Sequence, residues 1–214
     1  ERVWGRSEFH ALLKKGILWA VGDGRLQVYE RFLEQRASLE YVVRDHIPNY
    51  ERRESPLKYQ LPLLPEDSQN YTRVPMGFSL ELFASEPDIV NPISMAWDER
   101  GRLWVAETLD YPNELVEGRK GRDRIKILED TDGDNRCDKV TIFASGLNIP
   151  TSLVICNGGV IVAHAPDFLF LKDVDGDDRA DLRQVLNTGW GVRDTHAGPS
   201  NLRYGFDNRI WGTV

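Results

Sequence analysis

The nine residues Asp130-Thr131-Asp132-Gly133-Asp134-Asn135-Arg136-Cys137-Asp138 return further along the chain as Asp173-Val174-Asp175-Gly176-Asp177-Asp178-Arg179-Ala180-Asp181. In both copies carboxylates stand at loop positions 1, 3, 5 and 9, with glycine at position 4. Oxygen donors at that spacing form a cage for a hard cation. Ca²⁺ suits it best, because it takes six to eight oxygens in irregular geometry. The position 7 backbone carbonyl, from Arg136 and Arg179, is the expected further donor. Without an ion, each close carboxylate pair repels by on the order of a few kcal/mol at an effective dielectric of about 20. An EF-hand would place glycine at position 6 and a bidentate Glu at position 12. Here position 6 is Asn135 or Asp178, types that tolerate a left-handed backbone, and position 12 is Thr141 or Gln184. The plain alternative is a pair of Asx-rich turns that bind nothing. Repetition in one register favours metal.

The loops need rigid flanks. Arg124-Ile125-Lys126-Ile127-Leu128-Glu129 precedes the first loop and Lys139-Val140-Thr141-Ile142-Phe143 follows it, and both read as strands. Upstream, Pro92-Ile93-Ser94-Met95-Ala96-Trp97 and Leu103-Trp104-Val105-Ala106-Glu107 form a hairpin around Asp98-Glu99-Arg100. Ser152-Leu153-Val154-Ile155-Cys156 with Val160-Ile161-Val162-Ala163-His164 is a second version, and residues 201–212 are a third. A further alternating run, Phe78-Ser79-Leu80-Glu81-Leu82-Phe83-Ala84, also reads as a strand. Four short strands recurring about every forty to sixty residues are the signature of β-propeller blades. A β-sandwich fits the strands but not the repeat. The expected fold is all-β: a partial propeller of about two blades and the start of a third, after an N-terminal helical segment and an extended linker.

The N-terminal part has a different texture. Phe9, Leu12, Leu13, Gly16, Ile17 and Ala20 recur at helical spacing, with Ser7 as N-cap and Gly22 as stop. A second helix is expected over 24–45, with Leu26, Tyr29, Phe32, Leu33, Leu39 and Val43 on one face. From 47 to 75, Pro48, Pro56, Pro62, Pro65 and Pro75 break any long helix and mark an extended linker, with a short helical turn at Pro65-Glu66-Asp67-Ser68.

The 214 residues are 41% hydrophobic and 29% charged, enough for a real core. A net charge of -7 argues against a nucleic-acid partner, whose phosphates would want a basic face. Cys137 and Cys156 leave a disulfide open but favour two unrelated thiols, and no Cys-x-x-Cys-His haem motif occurs. No run of about twenty apolar residues is present, so no transmembrane segment is expected in this stretch. The chain reads as a fragment of a longer protein.

Long stretches carry a family resemblance. Residues 81–92, then Trp97-Asp98-Glu99-Arg100-Gly101-Arg102-Leu103-Trp104-Val105-Ala106-Glu107-Thr108, Asp110-Tyr111-Pro112-Asn113, and finally 194–208 together resemble the membrane-bound dehydrogenase module of bacterial multidomain proteins. That module is related to glucose and sorbosone dehydrogenases, propellers that use pyrroloquinoline quinone (PQQ). It is often followed by a c-type haem domain with Cys-x-x-Cys-His. Residues 9–23, ending Gly16-Ile17-Leu18-Trp19-Ala20-Val21-Gly22-Asp23, resemble the last helix of a ThuA-like (trehalose utilisation) domain. The domain reading is thus 1–23 for that helix, 24–72 for helix and linker, and 73–214 for the incomplete propeller.

The resemblance implies an oxidoreductase. In the quinone-dependent relatives a His abstracts the substrate hydroxyl proton while hydride passes to the quinone. His196, before Leu202-Arg203-Tyr204-Gly205-Phe206-Asp207, stands in the corresponding place, although the gap to Leu202 is one residue longer. An imidazole is a usable base at neutral pH. Asp194 is the candidate orienting carboxylate; a polar residue fixing the Ala197-Gly198-Pro199 turn is the plain alternative for His196. His10, His46 and His164 read as structural. Quinone-binding groups would come from later blades.

Glu107 and Asn148 are candidate funnel-lining side chains, since Glu and Asn hold Ca²⁺ in propeller lactonases, with cross-strand hydrogen bonding as the plain alternative. The expected function is an extracytoplasmic Ca²⁺-binding dehydrogenase module that oxidises a carbohydrate or alcohol and passes electrons to a cytochrome domain of the same chain. Alternatives are a non-catalytic carbohydrate- or protein-binding propeller and a Ca²⁺-dependent lactonase or esterase. Loops this weak would fill at roughly 10⁻⁴ to 10⁻³ M Ca²⁺, which points to a periplasmic, extracellular or membrane-associated address.

Overall fold

A computed structural model describes residues 6–34, 41–43, 58–60, 63–75, 77–112 and 121–213. His46, Asn113 and much of the 47–75 linker, including Pro48, Pro56 and Pro62, lie outside the described residues. The chain divides into two compact units, Glu1–Glu81 and Leu82–Val214.

In the first unit, α1 (Ser7–Val21) ends where Gly22, at φ 81°, donates its N–H to the Leu18 carbonyl. Ser7 is the first helical residue rather than the cap; Arg6 holds the cap position and makes no side-chain cap. The next helix, α2 (Asp23–Glu34), is shorter than the spacing predicted. Tyr41–Val43 forms β1 instead, antiparallel to β2 (Lys58–Gln60). The expected turn at Pro65 is α3 (Pro65–Tyr71), with proline in its first turn, where the lost N–H has no intrahelical partner anyway. No helix among the described residues is long and apolar enough to cross a membrane.

The second unit is all-β. β3 (Pro92–Trp97), β4 (Leu103–Glu107), β5 (Asp123–Glu129) and β6 (Lys139–Leu147) form one antiparallel meander, in the order β3-β4-β5-β6. β7 (Ser152–Cys156), β8 (Gly159–His164), β9 (Asp167–Lys172) and β10 (Leu182–Thr188) form a second, in the order β10-β9-β8-β7. A hairpin of β11 (Ser200–Tyr204) and β12 (Ile210–Thr213) follows. The first strands of these repeats stand side by side, β3 against β7 and β7 against β11.

Residues 78–84 do not form the expected strand. A strand needs a ladder partner, whereas here the Phe83 carbonyl accepts a single N–H from the Cys137 loop.

Period-two alternation explains the packing. On β4 every residue is buried, because both faces are covered. Trp104 and Ala106 point one way and join Ile125, Ile127, Phe143 and Leu147 against Leu153, Val160, Val162, Leu169 and Leu171 of the second sheet. Leu103 and Val105 point the other way, against Phe83, Ala84 and Ile89. Val154 and Ala163 meet Leu202 of β11 on the far side of the second sheet. Each fully buried Ile, Leu or Val here contributes about 1.5–3 kcal/mol. By contrast, β10 is exposed along its whole length.

Candidate functional site

The two aspartate loops join β5 to β6 and β9 to β10, at equivalent places in the two sheets. Their backbones match residue for residue. Gly133 and Gly176 sit at φ 84° and 89°, and Asn135 and Asp178 at 67° and 63°, so positions 4 and 6 are left-handed in both. The position 1 carboxylate organises each turn. Asp130 accepts the N–H groups of Gly133 (2.7 Å) and Asn135 (2.9 Å), and Asp173 those of Gly176 (2.6 Å) and Asp178 (2.8 Å). Those bonds, led by the glycine N–H, hold both carboxyls below the usual range.

Ligand-capable oxygens of Asp130, Asp132 and Asp138 lie within 4.8 Å of one another, as do those of Asp173, Asp175 and Asp177. Position 9 also closes the loop: Asp138 accepts from Thr131, and Asp181 from the Val174 N–H at 2.9 Å. Asp134 and Asp177 each turn one oxygen back to the N–H of Arg136 and Arg179. The charges of Asp181 and then Asp177 push the Asp175 carboxyl up, the repulsion that a bound cation would relieve. The donor set is all hard oxygen and fits Ca²⁺.

Position 8 docks each loop on the layer before it. Cys137 N–H donates to the Phe83 carbonyl and Ala180 N–H to the Phe143 carbonyl, both at 2.8 Å. The second loop is tied further by Arg102, whose Nη1 is 2.7 Å from Asp178 and whose Nε is 2.7 Å from Asp98. Asp98 also accepts the Trp104 indole N–H. Burial works against the Asp98 charge, but the bonds from Trp104 and Arg102 prevail and hold its carboxyl below the ordinary value.

His196 lies on the surface loop before β11, its side chain 68% exposed. Asp194 accepts its backbone N–H at 2.8 Å and contacts Nδ1 at 3.1 Å. The same two bonds, backbone first, lower the Asp194 carboxyl. An ionised carboxylate only accepts, so Nδ1 is the donor in this contact, and in the neutral ring Nε2 is then the acceptor. The Tyr111 ring stands edge-on to the imidazole at 5.4 Å between centroids, and Thr195 Oγ1 donates to the Pro112 carbonyl at 3.4 Å.

Glu107 and Asn148 are both buried within the second unit. Glu107 ends β4, the second strand of its sheet, and is fully buried. Its carboxylate accepts the Val90 N–H at 2.8 Å and pairs with Lys126 at 2.7 Å and Arg124 at 3.2 Å. Asn148 is also buried, and its backbone N–H donates to Nε2 of His164 at 3.0 Å. The Glu107 carboxylate thus takes the cross-strand role. The cleft of about 470 Å³ between first strands is lined instead by β3, β7 and β11, including Met95, Leu153 and Tyr204. His164 is buried and structural, whereas His10 is exposed on α1.

A family model described as a domain of unknown function, DUF7133, matches residues 64–214. The chain belongs to the DUF7133 family. No curated protein and no solved structure matches it. The DUF7133 region takes in α3, both sheets and the last hairpin, and so contains both loops and His196.

One polar group of the DUF7133 region has no local sequence signal. Asp123, at the start of β5, is fully buried and accepts backbone N–H groups from Leu109, Asp110 and Ile149. Burial pushes its carboxyl up against the pull of those bonds, and the neighbouring Asp110 charge adds to the rise. Asp110 in turn accepts Arg122 through both backbone and guanidinium. Gly121 is required there, since a Cβ would meet the Leu147 carbonyl at 2.1 Å and Asp110 at 2.4 Å. Cys137 and Cys156 are free thiols, both raised by burial.

Proposed function

We propose that this chain is part of an extracytoplasmic, Ca²⁺-binding β-propeller of the quinone-dependent dehydrogenase type, with His196 as the base that takes a proton from a sugar or alcohol hydroxyl. The observation that carries the reading is the Asp194–His196 pair, which leaves Nε2 as the acceptor. A base so oriented contributes typically 10²–10⁴-fold to a proton-transfer step. A quinone of the PQQ type supplies, when bound, the acceptor for the hydride. Its binding residues are not assigned to this chain. A c-type haem domain, where the protein carries one, would serve as the electron acceptor.

The propeller part is supported by two four-stranded meanders whose first strands adjoin and continue to a third repeat. In this reading the aspartate loops are Ca²⁺ sites on blade hairpins, holding the scaffold rather than the substrate. The resemblance of residues 81–92, 97–108, 110–113 and 194–208 to the membrane-bound dehydrogenase module supports the activity, and the 1–23 stretch is read as the tail of a ThuA-like domain.

Bound-quinone absorbance and dye reduction by the Ca²⁺-loaded protein that carries this region test the reading. His196→Gln should abolish dye reduction while Ca²⁺ binding and melting temperature stay unchanged. A folded, Ca²⁺-loaded protein that takes up no quinone would sink it. The exposure of His196 favours the second reading, a propeller that binds carbohydrate or protein without catalysis, which retained sugar binding without dye reduction would support. Lactone hydrolysis is weakened by the engagement of Glu107 with Lys126 and Arg124.

A further inference from the structure

The surroundings of His196 converge on one carboxylate. Tyr111, edge-on to the imidazole, follows directly on Leu109 and Asp110, whose N–H groups are both held by Oδ1 of Asp123. On the other side, Ile149 lines the small recess that also contains Asp194, Thr195 and Gly198 of the His196 loop. The Ile149 N–H is held by the second oxygen, Oδ2, of Asp123. Ile149 sits at φ 45°, a conformation that a β-branched residue adopts only when its surroundings impose it. Asp123 is the acceptor that holds the Ile149 N–H in that conformation. Thr195 completes the frame by donating to Pro112, next to Tyr111.

We infer that Asp123 is the positioning residue of the His196 site, fixing through its two oxygens both Tyr111 on one flank of the His196 loop and Ile149 on the other. The inference deepens the reading of His196 as the base and rests on it for its meaning, but the geometry it claims is measured without any activity. Asp123 touches neither substrate nor His196. The groups that face it are Asp110, the Arg122 paired to Asp110, and the Asn148–His164 pair beside Ile149.

Nuclear magnetic resonance of the 214-residue chain decides it. The ring current of Tyr111 displaces the His196 ring-proton shifts. Tyr111→Phe should keep that displacement and Tyr111→Leu should remove it, which calibrates its size. Asp123→Asn is nearly isosteric, but its amide nitrogen cannot accept from Ile149. In this variant at least half of the displacement should be lost and the Nδ1–H tautomer signal of His196 broadened, while amide shifts in β8 and β9 stay in place. A folded Asp123→Asn protein with unchanged His196 shifts overturns the proposal, whatever its activity. If that variant does not fold, the wild-type chain gives the same answer. The displacement should then titrate with the midpoint of the Asp123 side-chain carbon, which burial raises from the ordinary aspartate value, and not with that of Asp194, which the His196 bonds lower. Titration with Asp194 alone overturns the proposal.

Discussion

Arg102 reaches from the β3–β4 turn of the first sheet to the second aspartate loop, its Nη1 2.7 Å from the Asp178 carboxylate. Asp178 is position 6 of that loop, and the same guanidinium holds Asp98 with its Nε. A loop that reads as an isolated cation site is therefore wired into the neighbouring sheet.

Replacing Arg102 with alanine leaves Asp98, whose side chain is only 3% exposed, without its cationic partner. Breaking a buried pair by removing one member is strongly destabilising, and a loss of about 3 kcal/mol is expected. Urea unfolding followed by tryptophan fluorescence measures it, since Trp104 also bonds Asp98. A loss below about 0.5 kcal/mol would mean that the pair behaves like an exposed one.

Calcium should raise the melting temperature and chelation should lower it. At ten times Kd each site adds about 1.4 kcal/mol by mass action. Asp132→Ala combined with Asp175→Ala should make the melt insensitive to EDTA. An unchanged melt of the wild-type chain on chelation would count against both cages.

Ile127 is fully buried in the layer between the sheets. Ile127→Ala is expected to cost about 2–5 kcal/mol, and the same change at Ile142, which is 43% exposed on β6, far less. Equal losses at the two sites in thermal or chemical unfolding would contradict the observed layering.

Asp123 makes a pH signature. Its folded carboxyl titrates above the ordinary value, so the native state holds this proton more tightly than the unfolded chain. That contribution is fully present below the ordinary carboxylate range and is lost as pH rises through the folded value. The stability difference between wild type and Asp123→Asn should therefore change across that window, with the wild-type chain losing stability relative to the variant as pH rises. A difference that is flat there would remove the shift. Asp130 and Asp173, held low by backbone N–H groups, work in the opposite direction at lower pH and are common to both proteins.

The aspartate loops, the strands around them and the repeated hairpins were legible in the sequence because each rests on local rules. Short apolar runs bounded by turn residues mark β4, β8 and β9, alternation marks β5, and Gly133, Asn135, Gly176 and Asp178 mark the left-handed positions that the turns require. Local rules failed where a partner was needed. Residues 78–84 alternate like a strand yet have no ladder, and 41–43 leave the helical pattern to pair with 58–60. Glu107 and Asn148 had the right chemistry for an open site, but tertiary packing closed over them and supplied Lys126, Arg124 and the turn around His164.

By itself, then, the sequence determined the all-β class and the two carboxylate loops, since each depends on neighbours within about ten residues, while His196 and Asp194 became candidates through the resemblance of residues 194–208. Only the tertiary structure decided that Arg102 meets Asp178, 76 residues away, and that Asp123 collects Leu109, Asp110 and Ile149. Those contacts depend on how whole sheets stack, because a buried charge or N–H takes whichever partner the stacking brings within reach.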